Sequence, residues 1–187
     1  DAPDDAADLI RFAHSLTYIK EGNKVVQAGG RLMYDLCKLS AKVFFHKYAK
    51  GSNSIKKVLP AMLRSSKFLK DKYSQPIYGG GRANSKNYKD PIAWWHAGPD
   101  GNPIDPYYLL PPVFNDMDIP DDEDEDAKVA QGGAAIMAYA RLQFEHISDQ
   151  TRNAWRTALL KYCELDTVAM AMVVEGWQDW VKNGTDQ

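Results

Sequence analysis

Long apolar runs are missing from this chain: none approaches the roughly 18 consecutive residues of a membrane-spanning helix, and no basic-then-apolar leader marks secretion. Cysteine is scarce as well. Cys37 and Cys163 have neither a CxxC partner nor a histidine at ligand spacing, so neither a zinc site nor a disulfide framework is indicated. Both read as small buried apolar residues. The histidines His14, His46, His96 and His146 are scattered, with no HExxH or HxH arrangement. These absences fit a reducing cytoplasm and no membrane partner.

The net charge is only −2, yet the charges are sorted. Between Lys42 and Lys89 there are twelve Lys or Arg against the single acid Asp71. Such a stretch reads as a surface for the phosphates of DNA or RNA, with Lys56, Lys57, Arg64 and Lys67 as the candidate contacts. It reads equally as a solvated lysine-rich face, the interleaved aromatics Phe44, Phe45, Phe68, Tyr73, Tyr78 and Tyr88 being core. Eight acids fall between Asp116 and Asp126, a pattern expected of a flexible, solvated loop.

With 187 residues and 44% hydrophobic content the chain fits one domain, 1–187, with a real core. Helical spacing runs through residues 4–20 and again from Leu32 to Tyr48, with "EGNKVVQAGG" between them read as a turn-rich connection. Pro60 predicts a short segment followed by a helix from about that residue. From Tyr73 to Asn115 the chain is rich in Gly, Pro, Tyr and Trp, too long for a bare loop, so an ordered excursion or a binding segment is expected, with "PIAWWH" as a short strand. "GGAAIMAYARLQFEHI" and "SDQTRNAWRTALLKYC" resume helical spacing. The expected class is mostly α with few strands. Ser54 to Lys57 (SxxK), "YGGGRANSK" and Asp121 to Glu123 (D-x-E) lack the companions of the motifs they imitate and are set aside.

The informative stretch is "LLKYCELDTVAMAMVVEGW", residues 159–177. On a helical wheel Leu165, Ala169, Val173, Trp177 and Trp180 share an arc, and Asp166 falls inside it. A carboxylate facing packed neighbours costs several kcal/mol unless a charge, donors or a metal meets it. Tyr162, four residues earlier, places a phenol on the same face. Asp166 can also be a helix N-cap, or be neutralised by a distant Lys or Arg.

"YCELDTVAM" resembles the third motif, Tyr-x-x-x-Asp, of the tyrosine-bearing DEDD exonucleases in the ribonuclease H-like superfamily. Together with "RLMYDLCKLSAKVFF", "KGSNSIKKVLPAML", "DPYYLLPPVF" and "GGAAIMAYARLQFE", it is similar to an uncharacterised bacterial domain family at the C-terminus of predicted RecB-type nucleases. The resemblance covers about residues 8–180. It implies the C-terminal portion of an α/β ribonuclease H-like exonuclease fold that hydrolyses phosphodiesters with two Mg²⁺ or Mn²⁺ ions. By the same resemblance Asp166 is a metal ligand and Tyr162 orients the attacking water. Asp35 in "MYDL" looks like the family's post-motif aspartate and is given no catalytic role.

The first and second acidic motifs have no match in these residues, and the chain begins at Asp1 rather than Met. The expectation is therefore an incomplete domain, partnered by an N-terminal part of the same protein, inactive alone and prone to cover exposed core surface by forming a homodimer. The rival expectation is a non-catalytic module binding nucleic acid or protein, in which Asp166 is a satisfied ion pair.

Overall fold

The structure, a computed structural model, describes residues 6–80, 85–110 and 126–184. The acidic run expected to form a loop, 116–126, lies outside these residues apart from the backbone of Asp126. The described chain is mostly helical with two strands, and it falls into two compact units, Asp1–Phe44 and Phe45–Gln187.

The first unit contains helix α1 (Ala6–Leu16), strands β1 (Tyr18–Glu21) and β2 (Lys24–Ala28), and helix α2 (Leu36–Val43). The helix expected through residue 20 stops earlier, and the expected connection "EGNKVVQAGG" instead supplies half of an antiparallel hairpin. Gly22 explains the difference: at φ +59° it takes the first position of a two-residue turn, a conformation that suits the twist of hairpin strands. The β-branched Ile19, Val25 and Val26 favour extended backbone on either side. Register shifts between Ile19 and Lys20, which pair with Gln27 and Val25 and leave Val26 as the extra residue of a bulge. The hairpin returns to α1 through Gly29, whose N–H donates to Thr17 O at 2.9 Å. A Cβ at Gly29 would lie 2.2 Å from Ser15 O, so only glycine fits there. Helix α2 is shorter than the expected Leu32–Tyr48 because Asp35 caps it, accepting from Lys38 N at 3.0 Å.

The second unit is built on one long helix. After a 3-10 turn at Lys47–Ala49 come α3 (Ile55–Ser65), α4 (Lys67–Tyr73), a 3-10 helix at Pro106–Leu109, α5 (Asp126–Phe144) and α6 (Asp149–Asn183). The break expected at Pro60 is absent, since α3 runs through it. A proline inside a helix costs about 3 kcal/mol. Against that cost α3 buries Val58, Leu59, Ala61, Met62 and Leu63, and one well-buried aliphatic side chain alone contributes about 1.5–3 kcal/mol. Ser66 then ends α3 and starts α4, its Oγ accepting from Leu69 N at 3.2 Å.

α6 has 35 residues, about 52 Å of helix. Ser148 caps its start by accepting from Thr151 N at 3.1 Å. Arg152 in its first turn reaches the carbonyls of Leu142 (2.5 Å) and Glu145 (3.4 Å), placing a cation at the C-terminal end of α5 where the helix dipole favours one. The buried residues Ala158, Tyr162, Leu165, Ala169, Met172 and Gly176 alternate spacings of four and three, the seam of a helix packed along its length. Helices α3, α4 and α5 pack on α6.

Residues 74–80 and 85–110 form the ordered excursion expected from their composition, held by isolated bridges Tyr78–Ile92 and Ala97–Pro103 rather than by a strand at "PIAWWH". Trp94, fully buried, meets Tyr88 edge to face at 5.2 Å and Tyr78 at 5.8 Å between ring centroids. The Trp95 indole N–H donates to Leu63 O at 3.0 Å, fastening the excursion to α3.

Gly176 lets α6 pack tightly on α3 and α4: an added Cβ would lie 2.5 Å from Met62 Cε and 3.0 Å from Leu69 Cδ1. Gly176→Leu is expected to destabilise the protein by about 1–3 kcal/mol through overpacking, read as a lower urea midpoint. An unchanged midpoint would mean that α6 does not sit this close to α3 and α4.

Candidate functional site around Asp166

Helix α6 is continuous through Asp166, which therefore caps nothing. Tyr162 belongs to the buried seam at 8% exposure, and Asp166 lies half-buried one turn later. The partner that the sequence reading did not anticipate is Tyr107. Asp105 starts the 3-10 helix Pro106–Leu109 by accepting from Tyr107 N at 3.1 Å, and Pro106 follows it with the backbone angle such a turn needs. This turn points the Tyr107 hydroxyl at α6, where it donates to Asp166 Oδ1 at 2.5 Å. The rings of Tyr107 and Tyr162 lie 5.9 Å apart, tilted by 58°.

Lys56 completes the group. It extends from the first turn of α3, with Nζ 5.0 Å from the Tyr162 ring centroid and 5.5 Å from that of Tyr107, close enough for cation–π attraction to both faces. Burial lowers the pKa of this ammonium, and the carboxylates of Asp166 and Asp105 oppose that shift. Burial, and then the Asp166 charge, push the Tyr162 phenol up to about 12. Tyr107 is raised further, by burial and by its hydrogen bond to Asp166. Both phenols are therefore protonated donors at neutral pH. A carboxylate stands inside an apolar arc because a phenol and the field of an ammonium meet it.

The other three candidate phosphate contacts lie elsewhere. Lys57 is half-buried on α3. The Arg64 guanidinium stacks 3.8 Å from the Tyr48 ring centroid. Lys67 pairs with Asp71 on the exposed face of α4. The expected basic surface is thus divided, with Lys56 turned toward Asp166. Cys37 and Cys163 are both exposed, against the expectation that they are buried.

Two further clusters bear on chemistry. Glu164 on α6 gathers the excursion: Tyr78 Oη donates to it at 2.7 Å, Ser85 Oγ at 2.5 Å, and Asn87 through N at 3.2 Å and Nδ2 at 2.5 Å. The bracketing signal, a tyrosine- and asparagine-rich segment with no acids of its own before Asp90, was present in the sequence without saying which acid it would meet. The second cluster pairs Ser65 Oγ with His46 Nε2 at 2.9 Å, which resembles a nucleophile and its base. His46 Nδ1, however, accepts from Tyr48 N at 3.3 Å. The neutral ring then carries its proton on Nε2, so it cannot take one from Ser65, and the pair is structural.

The expected pair of divalent ions does not fit the described residues. Among them no group of three or more His, Cys, Asp or Glu side chains could hold a metal. Around Asp166 the neighbouring charge is already an ammonium, whereas Mg²⁺ and Mn²⁺ need several oxygen ligands. Compared with protein-family models, curated proteins and solved structures, the chain matches none.

Two predictions follow from these contacts. Tyr107→Phe removes a hydrogen bond to a charged group and is expected to cost about 1.5–3 kcal/mol in urea denaturation. No loss would mean that Lys56 alone satisfies Asp166. For Glu164, burial raises the pKa, but the donors Ser85, Tyr78 and Asn87 outweigh it and hold the group below its ordinary 4.5. Its stabilising contribution is complete above that value and disappears as pH falls through the depressed folded value. Glu164→Gln should therefore be less stable than wild type at neutral pH, with the gap narrowing below about pH 4.5 in thermal melts. A gap that stays constant with pH would show that the charge on Glu164 contributes nothing.

Proposed function

We propose that this chain is the C-terminal part of a nuclease acting on DNA or RNA, of the tyrosine-bearing DEDD type with a ribonuclease H-like fold, and that it contributes Tyr162 and Asp166 to a centre completed by residues outside the described segments. The observation that carries the reading is the phenol and carboxylate one turn apart on the continuous helix α6, with Lys56 beside them. Tyr162 remains protonated and can donate to a water or a phosphate oxygen. Tyr107 fixes Asp166 Oδ1, so the carboxylate is held rigidly before any substrate arrives. The Mg²⁺ or Mn²⁺ that such chemistry uses needs ligands beyond those described, so the chain alone is expected to be inactive.

A second reading is favoured by one observation. The Asp166 carboxylate already attracts the Lys56 ammonium, as it would in a non-catalytic module that binds nucleic acid or protein through the Lys57, Arg64 and Lys67 surfaces.

A cleavage assay on end-labelled single- and double-stranded DNA and RNA separates the two, using the natural full-length protein with Mg²⁺ or Mn²⁺. Metal-dependent cleavage is expected, abolished by Asp166→Asn and reduced on the order of 10²–10⁴-fold by Tyr162→Phe. Cleavage that survives Asp166→Asn, or none by wild type, would leave the binding module as the function.

A further inference from the structure

The four cations proposed for phosphate binding differ in what surrounds them, and this difference separates their roles. Arg64 and Lys67 are themselves exposed, the first against the half-buried Tyr48 ring and the second beside the exposed Asp71. Lys56 is half-buried, and its ammonium lies about equally far from the rings of Tyr107 and Tyr162, at 5.5 and 5.0 Å. Those two residues are the ones that surround Asp166: Tyr107 by a hydrogen bond, Tyr162 by its place one turn before it. The Lys56 side chain is thus positioned by the site rather than by the general surface.

We infer that Lys56 is a catalytic residue of the Tyr162–Asp166 site, its ammonium passing from the carboxylates to a non-bridging oxygen of the substrate phosphate at the reacting bond. The inference rests on the nuclease reading for its reaction, but its contact can be tested without it. Charge supports the exchange. Asp166 and Asp105 both attract Lys56, and of these three charged groups the ammonium is the one that a phosphate oxygen can approach. A compact, strongly hydrated ammonium on a flexible stem suits that movement, since it needs no fixed fork geometry. The other cations would instead track the nucleic-acid backbone and set affinity and salt dependence.

The test has two arms. In the first, this chain is titrated with thymidine 5′-monophosphate, and the lysine Cε signals are followed by NMR, with Lys56 assigned by its loss in Lys56→Gln. A saturable shift of the Lys56 signal is expected, with several-fold tighter binding in Asp166→Asn, where the competing carboxylate is gone. No saturable shift overturns the inference, whether or not the full-length protein cleaves.

In the second arm, kcat and KM are measured on the full-length protein well below its melting temperature. Lys56→Gln is expected to lower kcat on the order of 10²-fold or more with KM little changed, and Lys56→Arg to restore part of it. Lys67→Gln is expected to raise KM and leave kcat unchanged. If Lys56→Gln moves only KM, the lysine is an ordinary backbone contact and the catalytic role is lost. If Lys56→Arg folds as stably as wild type yet restores nothing and Lys56→Gln loses stability, the role is structural and the inference fails. A saturable shift in a protein that cleaves nothing would retain the phosphate contact and overturn the catalytic assignment together with the nuclease reading.

Discussion

Three tyrosine hydroxyls donating to three carboxylates of one helix hold the second unit together. Tyr78 reaches Glu164, Tyr107 reaches Asp166, and Tyr73 reaches Glu175 at 2.8 Å, where Lys72 adds an ion pair at 2.7 Å. Each phenol comes from a different part of the chain, and each carboxylate lies on α6. A buried or half-buried acid left without its donor would cost about as much as several ordinary surface contacts contribute. Tyr73 ends helix α4 and Tyr107 lies in a single 3-10 turn, whereas Tyr78 sits in irregular chain, whose position depends on its bond to Glu164 more than on a backbone ladder. The apolar seam of α6 brings α3 and α4 close, and the carboxylates settle where the irregular chain between α4 and α5 can lie.

This division explains the chemistry around Asp166. A helix-borne carboxylate with one oxygen fixed by a phenol is rigid, and the Lys56 ammonium lies nearby against the rings of Tyr107 and Tyr162. Asp166 therefore meets a hydroxyl donor and a positive field without leaving the apolar arc of α6.

The helices were legible where apolar spacing was long. The seam of α6 and the helical character of α5 follow from their residues, and Asp166 was found because it interrupts that spacing. The short elements were not. Gly22 and Asn23 carried a hairpin signal that the helical stretch before them obscured, and Pro60 argued for a break that five buried neighbours in α3 overrode. Tyr107 and Tyr78 were invisible as partners of α6 because their contacts join residues 59 and 86 positions apart, Tyr107 to Asp166 and Tyr78 to Glu164. No local pattern encodes such a pairing. Lys56 was chosen for its charge, and only its place between two rings distinguished it from Lys57, Arg64 and Lys67.

The separation in sequence of these bonds also fixes an order of events. Tyr73 waits for Glu175, 102 residues later, and Asn87 for Glu164, 77 residues later. On a ribosome adding roughly 5–20 residues each second, the aromatic excursion is made several seconds before the helix that anchors it leaves the exit tunnel. Until then Tyr73, Tyr78 and Asn87 lack the carboxylates that they meet in the folded protein. The nascent chain therefore carries an aromatic segment without its anchors until α6 has been translated.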